Sequence, residues 1–243
     1  MSRFLDAILR VMDVKDHWAW DHFAGGSLSK AQLRLHFQQE FYVYVRDFPV
    51  LLARIYGHNP PPSVRRMLAE NIFEEDTGGL SLGKSHPELF LKMMEGLGFR
   101  AGEFENIRPL PASRTYRTWL DRMSNHPRWI LGAATLTVFV EGSVKDRQEL
   151  REPSKRKTAE EIETVIKNHP LVRFHGVSPS HMDLIRAHQL VEAGHRRDAY
   201  RMVTEHAGSR EVQRSVVASL KKSLKLWLSY RDAVAKACGI TRG

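Results

Sequence analysis

HMDLIRAHQLVEAGHRRDAYRMVTE, residues 181–205, is the stretch that sets the fold class. Its apolar side chains recur at intervals of three and four residues, and no proline interrupts them, so it reads as one long amphipathic helix. Within it, His188, Glu192 and His195 are separated by four and three residues, a spacing that projects all three from one stripe of a helix. Two imidazoles and a carboxylate suit ferrous or ferric iron, manganese or zinc, and a mixed nitrogen-oxygen set with open positions favours oxygen-activating iron. Twelve histidines and 28 acids placed at random over 243 residues would give only about 0.07 such triplets. The bland alternative is a solvated face carrying two histidines and an ion pair, so further donors must be found elsewhere.

The same helical period extends in both directions. Phe4, Leu5, Ile8, Leu9 and Met12 mark a first helix. Leu33, Phe37, Phe41, Tyr44, Phe48 and Leu52 mark another, which begins at a Ser29/Gln32 capping box and runs to about Tyr56-Gly57. Pro60-Pro61-Pro62 is a stop; Ser63 to Phe73 then resumes the pattern up to Glu74-Glu75-Asp76, and Thr77-Gly78-Gly79 breaks it. Ser85 with Glu88, and Pro87 in the first turn, opens a helix that reaches Leu97, with His86 at its entrance. Further helices are expected over Thr115–Met123 and from His126 or Pro127 to about Ser143. The β-branched run Thr135 to Val140 would suit a strand but has no partner strand nearby. Lys145 to Lys157 reads as a polar linker, Thr158/Glu161 as a third capping box, and Glu211 to Cys238 as a last long helix. The expectation is an all-α bundle of about seven or eight helices around a central cavity, in one domain spanning residues 1–243.

Composition narrows the function classes. With 42% hydrophobic and 27% charged residues the chain can bury a core, and no apolar run approaches the roughly 20 residues of a membrane span. Arg3 and Asp6 interrupt the N-terminal apolar pattern, so no secretory signal is read and a cytoplasmic location is expected. The lone Cys238 allows no internal disulfide and reads as a small buried side chain. A net charge of +9 raises the question of a nucleic-acid partner, but the bases are dispersed, and in the densest segment they alternate with Asp146, Glu149 and Glu152. Nucleic acid is therefore disfavoured, and a homodimer remains open.

Additional donors exist. Glu141 directly follows the apolar run Leu136 to Val140, where a solvated charge is out of place, and Glu75 and His86 flank the glycine break, which could aim both inward. With the triplet they make three carboxylates and three imidazoles, enough to hold two divalent ions and leave positions for dioxygen. A ferritin-like bundle would need two Glu-x-x-His motifs, and only Glu192 to His195 qualifies.

Asn71-Ile72 with Glu75, His86-Pro87-Glu88-Leu89-Phe90, Glu141-Gly142-Ser143 and His188-x3-Glu192-x2-His195 together resemble the heme-oxygenase-like diiron oxidases, relatives of the pyrroloquinoline-quinone synthase C protein and thiaminase II. The resemblance spans nearly the whole chain. It implies a metal site of Glu75, His86, Glu141, His188, Glu192 and His195 holding two iron ions, with manganese as a substitute, and leaves any catalytic residue beyond those ligands unassigned. It implies dioxygen-dependent oxidation of a small organic substrate: carbon-carbon cleavage, decarboxylation, N-oxygenation or formation of p-aminobenzoate. Ten residues lie between Glu75 and His86, more than the family usually has, and Glu192 stands where the family often has Asp. Glu74 and Asp76 are adjacent alternatives to Glu75, as His175 and His181 are among the imidazoles. Two competing readings stay open: a metal-free oxidase using the same histidines as acid-base groups, and a non-enzymatic basic interaction module.

Overall fold

A computed structural model describes residues 2–152 and 157–242, the side chains of residues 192–195 lying outside that description. Among the described residues all regular structure is helical, in thirteen α segments, two π segments and two short 3-10 turns. The first half of the chain supplies α1 (Arg3–Met12), α2 (Trp20–Phe23), α3 (Lys30–Glu40), α4 (Phe48–Gly57), α5 (Pro62–Thr77) and α6 (His86–Gly96). The second half supplies α7 (Pro111–Ser124), α8 (Trp129–Ala133), α9 (Asp146–Arg151), α10 (Ala159–Asn168), α11 (Pro170–His175), α12 (Asp183–Thr204) and α13 (Arg210–Ala237).

Local chemistry starts these helices where the sequence says it should. Ser29/Gln32, Ser85/Glu88 and Thr158/Glu161 all form reciprocal capping boxes, each satisfying two backbone amides that a helix start leaves free. Packing then selects the arrangement. Helix α13 lies against α1, α7 and the π segment Ala134–Val140, while α12 packs on α6 and on that same π segment. Tyr116 of α7 and Tyr230 of α13 stack with ring centroids 5.8 Å apart, both buried. Burying such side chains is worth about 1.5–3 kcal/mol each.

Three departures from the sequence reading have physical causes. The helix expected from Ser29 to Gly57 is divided: α3 gives way to a π segment, Phe41–Val45, and α4 restarts at Phe48, where Pro49 occupies the first turn and could not have donated an interior helical bond. The β-branched run is helical but widened into a π segment, Ala134–Val140, which relieves crowding between side chains a turn apart. The expected linker contains α9, because Asp146 is fully buried: its carboxylate accepts from the Ser143 amide and the Tyr200 hydroxyl, each at 2.8 Å, and pairs with Arg196 at 3.2 Å. Pro153–Arg156 of that segment lie outside the described residues. No described helix is long and apolar enough to cross a membrane. Cys238 is buried, and burial pushes its thiol up to about 11, which leaves it an inert packing group.

Candidate metal centre

The last turn of α5, the first residue of α6, the end of the second π segment and the middle of α12 meet at one cavity of about 400 Å³. Neighbouring residues on a helix diverge by about 100°, so Glu74 and Glu75 at the end of α5 serve different surroundings. Both line the cavity: Glu75 approaches His86 Nδ1 at 3.0 Å, while Glu74 lies 3.2 Å from His86 Nε2 and also accepts from Leu80 and Ser81 of the glycine-rich turn. The capping box at Ser85 fixes the start of α6, and so delivers His86 to this wall. Across the cavity His188 of α12 stands edge-to-face with it, ring centroids 4.9 Å apart at 74°.

Glu141 closes the π segment. Its amide bonds to the carbonyl of Leu136, five residues back, and the extra residue per turn re-aims the side chain. Its Oε1 accepts from Asn71 Nδ2 at 2.9 Å, and its carbonyl accepts from Arg196 Nη2. Tyr44, Val45, Phe48, Val140, Leu184 and Val191 provide an apolar wall opposite these polar groups.

The electrostatics are unbalanced toward acid. Burial pushes the Glu141 carboxyl up to about 7, against the pull of Arg196 and Asn71, and the nearby Glu75 raises it further. Burial holds His188 down at about 4, with His86 adding to the depression. For His86 burial alone would act downward, but the carboxylates of Glu75 and Glu74 beside its two nitrogens hold the imidazole above its ordinary value. His86 Nδ1 is a buried atom 3.0 Å from Glu75, yet no protein group is aligned to hydrogen-bond it. A buried imidazole nitrogen with no aligned hydrogen-bond partner, beside a carboxylate, is a donor still open to a cation. The donor chemistry thus fits iron: imidazoles and carboxylates in a half-dry pocket with surplus negative charge.

Of the six residues expected from the sequence, Glu75, His86, Glu141 and His188 line this cavity. Glu192 and His195 lie outside the described side chains, on the backbone of α12 one and two turns beyond His188. Among the described residues, no group of three or more His, Cys, Asp or Glu side chains is placed to hold a metal ion. Several polar residues around the site gave no local signal. Lys15, just beyond α1, sends its ammonium to the carbonyls of Phe139, Val140 (3.1 Å) and Gly142 around Glu141, and burial pulls it down to about 7. Asp146 and Arg196 form the buried pair behind Glu141. Only the apolar context of position 15, following Val11 and Met12, hinted that a lysine there would be enclosed.

The sequence matches the iron-containing redox enzyme family over residues 35–228. The chain belongs to that family. Within curated proteins it is similar to a 4-aminobenzoate synthase of Nitrosomonas europaea, 21% identical over 241 residues, covering 95% of this chain and 89% of that protein. It is also similar to a 4-aminobenzoate synthase of Chlamydia pneumoniae, 22% identical over 135 residues, 56% of this chain and 58% of the relative's length. In three dimensions it is similar to a TenA homolog of Pseudomonas syringae pv. tomato, with a TM-score of 0.70 at 15% identity, covering 96% of this chain and 91% of the other. A domain with a heme oxygenase-like fold from Shewanella denitrificans gives 0.63 at 19% identity, covering 97% and 84%. The all-α, heme-oxygenase-like fold expected from the sequence is therefore the fold of this family member.

Proposed function

We propose that this member of the iron-containing redox enzymes is a non-heme diiron oxidase or oxygenase that uses dioxygen to oxidise a small organic substrate. The observation carrying this reading is the His86–Glu75 juxtaposition: an orphaned buried imidazole nitrogen beside a carboxylate, with His188 and Glu141 on the facing walls. Glu75, His86, Glu141, His188, Glu192 and His195 would hold the two ions. When bound, iron supplies the electrons and open coordination positions that dioxygen needs. The chain contributes the rest. Asn71 holds one oxygen of Glu141 and so leaves the other directed to the cavity. Arg196 and Lys15 tie down the backbone on both sides of Glu141, limiting how far it can swing. Phe48, Val140, Leu184 and Val191 give the substrate an apolar face and keep bulk water from the reacting atoms.

Anaerobic titration with ferrous iron, read by Mössbauer spectroscopy, tests the reading: two iron ions per chain with one coupled spectrum are expected. Dioxygen uptake across a substrate panel follows, with 4-aminobenzoate among the products assayed because two relatives carry that synthase name. Uptake of no iron, or turnover that survives complete chelation, would instead favour a metal-free oxidase in which His86 and His188 move protons.

A further inference from the structure

Glu74 is a buried acid that the proposed ligand set does not use. Its side chain is 1% exposed, and both oxygens are engaged: Oε2 accepts from the Leu80 amide at 2.8 Å, while Oε1 accepts from the Ser81 hydroxyl and faces His86 Nε2 at 3.2 Å. The partners belong to two different elements. Leu80 and Ser81 sit in the turn between α5 and α6, which opens at Gly78 in the left-handed region (φ 63°) and closes near Gly83 (φ 69°), with the Gly78 carbonyl accepting from the Ser81 and Gly83 amides. A side chain at Gly78 would lie 2.3 Å from the Lys84 carbonyl oxygen, so only glycine permits the turn to fold back this tightly. The turn has little apolar anchorage, since Leu80 and Leu82 are both exposed. Glu74 ties it to α5 through both Leu80 and Ser81.

We infer that Glu74 is a positioning residue, resting on the diiron reading above: its carboxylate takes the proton of His86 Nε2–H as a hydrogen bond, leaving Nδ1 bare toward Glu75, and ties that imidazole to the 78–84 turn. The chemistry follows from the two nitrogens of one ring. A neutral imidazole carries a proton on only one of them, so a fixed acceptor at Nε2 makes Nδ1 the electron-pair donor. A carboxylate behind a ligating histidine also makes it a better donor, and losing such a partner typically costs about 10- to 100-fold in metal affinity. Glu74 is thereby distinguished from Glu75, the neighbour with which it could be confused in sequence: Glu74's oxygens are spent on the turn and on the far side of the ring. Because one carboxylate serves both elements, occupation of Nδ1 and order in the turn are linked, and each must strengthen the other.

The test uses the full chain with Glu74→Gln and Ser81→Ala, and reads three quantities. Nitrogen-15 NMR of His86 in the metal-free protein, at a pH of about 8.5 where free imidazole is neutral, is expected to report the Nε2–H tautomer in wild type and in Ser81→Ala, and a mixture in Glu74→Gln. Amide exchange at Leu80 is expected to quicken about tenfold or more in Glu74→Gln and less in Ser81→Ala, and to slow on ferrous loading only where Glu74 is present. Ferrous affinity is expected to fall about 10- to 100-fold in Glu74→Gln, with the two-ion stoichiometry retained. An unchanged tautomer and affinity in Glu74→Gln overturns the inference. So does loss of one whole iron equivalent, which would make Glu74 a ligand. Should Glu74→Gln fail to fold, the tautomer of wild type and the exchange of Ser81→Ala decide: an Nδ1–H ring or unaltered Leu80 exchange is fatal. If wild type takes up no iron, the diiron reading falls, while the tautomer and exchange arms still judge Glu74 on its own.

Discussion

Two regions of this molecule carry the same sequence signal, a histidine followed four residues later by a glutamate, and do different things with it. At His188 and Glu192 the imidazole borders a cavity of about 400 Å³ rich in carboxylates. At His36 and Glu40 the imidazole is likewise buried and likewise held down at about 4, but it stacks on Phe23 at 4.2 Å and the carboxylate already has a cation. Arg231 donates to Glu40 and to the Tyr44 hydroxyl (3.0 Å), while its guanidinium lies 4.3 Å over the Trp20 ring. The protein closes one cluster with its own arginine, whereas no Lys or Arg among the described residues pairs directly with Glu75 or Glu141 at the cavity, Arg196 reaching only the Glu141 carbonyl. A His-x3-Glu spacing therefore does not distinguish the two regions; whether the protein itself supplies the counter-charge does.

The largest effect should come from breaking the closed cluster. Glu40→Gln leaves the Arg231 guanidinium buried without its counter-ion, a change that typically costs about 3–5 kcal/mol. Thermal or denaturant unfolding should register it, while iron stoichiometry of the folded fraction stays at the wild-type value. Equal stability of the variant would mean that Arg231 is satisfied otherwise and that the two clusters are not opposites. In the open cluster the expectation reverses. Glu75→Gln and His188→Ala should each weaken ferrous binding by about 100-fold, or roughly 2.7 kcal/mol, with the metal-free protein no less stable than wild type, because each relieves crowding among unpaired polar groups. Calorimetric titration alongside melting of the metal-free form reads both halves.

What the sequence disclosed divides along the same line. The capping boxes at Ser29, Ser85 and Thr158 are local, three-residue devices, and all three could be read directly. The stripe on α12 and the position of Glu141 after an apolar run are also local, which is why four of the six expected donors could be placed at one cavity. The surroundings that tune them are not local. Lys15 reaches carbonyls at positions 139–142, and Asp146, in a segment that reads as a linker, is buried by contacts with Arg196 and Tyr200 on another helix. Long-range ion pairs leave no periodic trace. Nor does chain direction at a break: only Pro49 hinted that α3 and α4 are separate, and that Glu74 and Glu75 both reach the cavity wall, on opposite nitrogens of His86, depends on how the turn beyond them folds back.

Acidity offers a third, intermediate effect. Glu141 is held near 7 by burial and must be ionised to bind a cation, and His86, held above its ordinary value, must lose its proton as well. Protons thus compete with metal, and ferrous affinity should rise with pH by about tenfold per unit for each proton displaced until about pH 7 and flatten above the imidazole range. The metal-free protein should behave oppositely. A carboxyl whose folded pKa lies above its unfolded value holds more protons in the folded state, so this group's contribution falls as pH rises from about 4.5 to about 7. Affinity independent of pH between 5 and 7.5 would remove Glu141 from the ligand set.

The smallest effect compares one neutral hydrogen-bond donor in each region. Asn71 donates to Glu141 at 2.9 Å, and the Tyr44 hydroxyl donates to Glu40 at 3.1 Å. Deleting either donor removes a single bond to a carboxylate, of the order of 1–2 kcal/mol, but the two losses should appear in different measurements. In the closed cluster Glu40 retains Arg231, so Tyr44→Phe should lower unfolding stability by about 1 kcal/mol and leave iron affinity nearly unchanged. In the open cluster no Lys or Arg among the described residues holds the Glu141 carboxylate in contact, so Asn71→Ala lets its pKa drift upward and its second oxygen swing. The pH of half-maximal loading should therefore move up, affinity near neutrality should fall up to about tenfold, and the deficit should shrink at higher pH, where Glu141 is ionised regardless. A deficit that persists unchanged at alkaline pH would assign Asn71 to holding the carboxylate's direction rather than its charge.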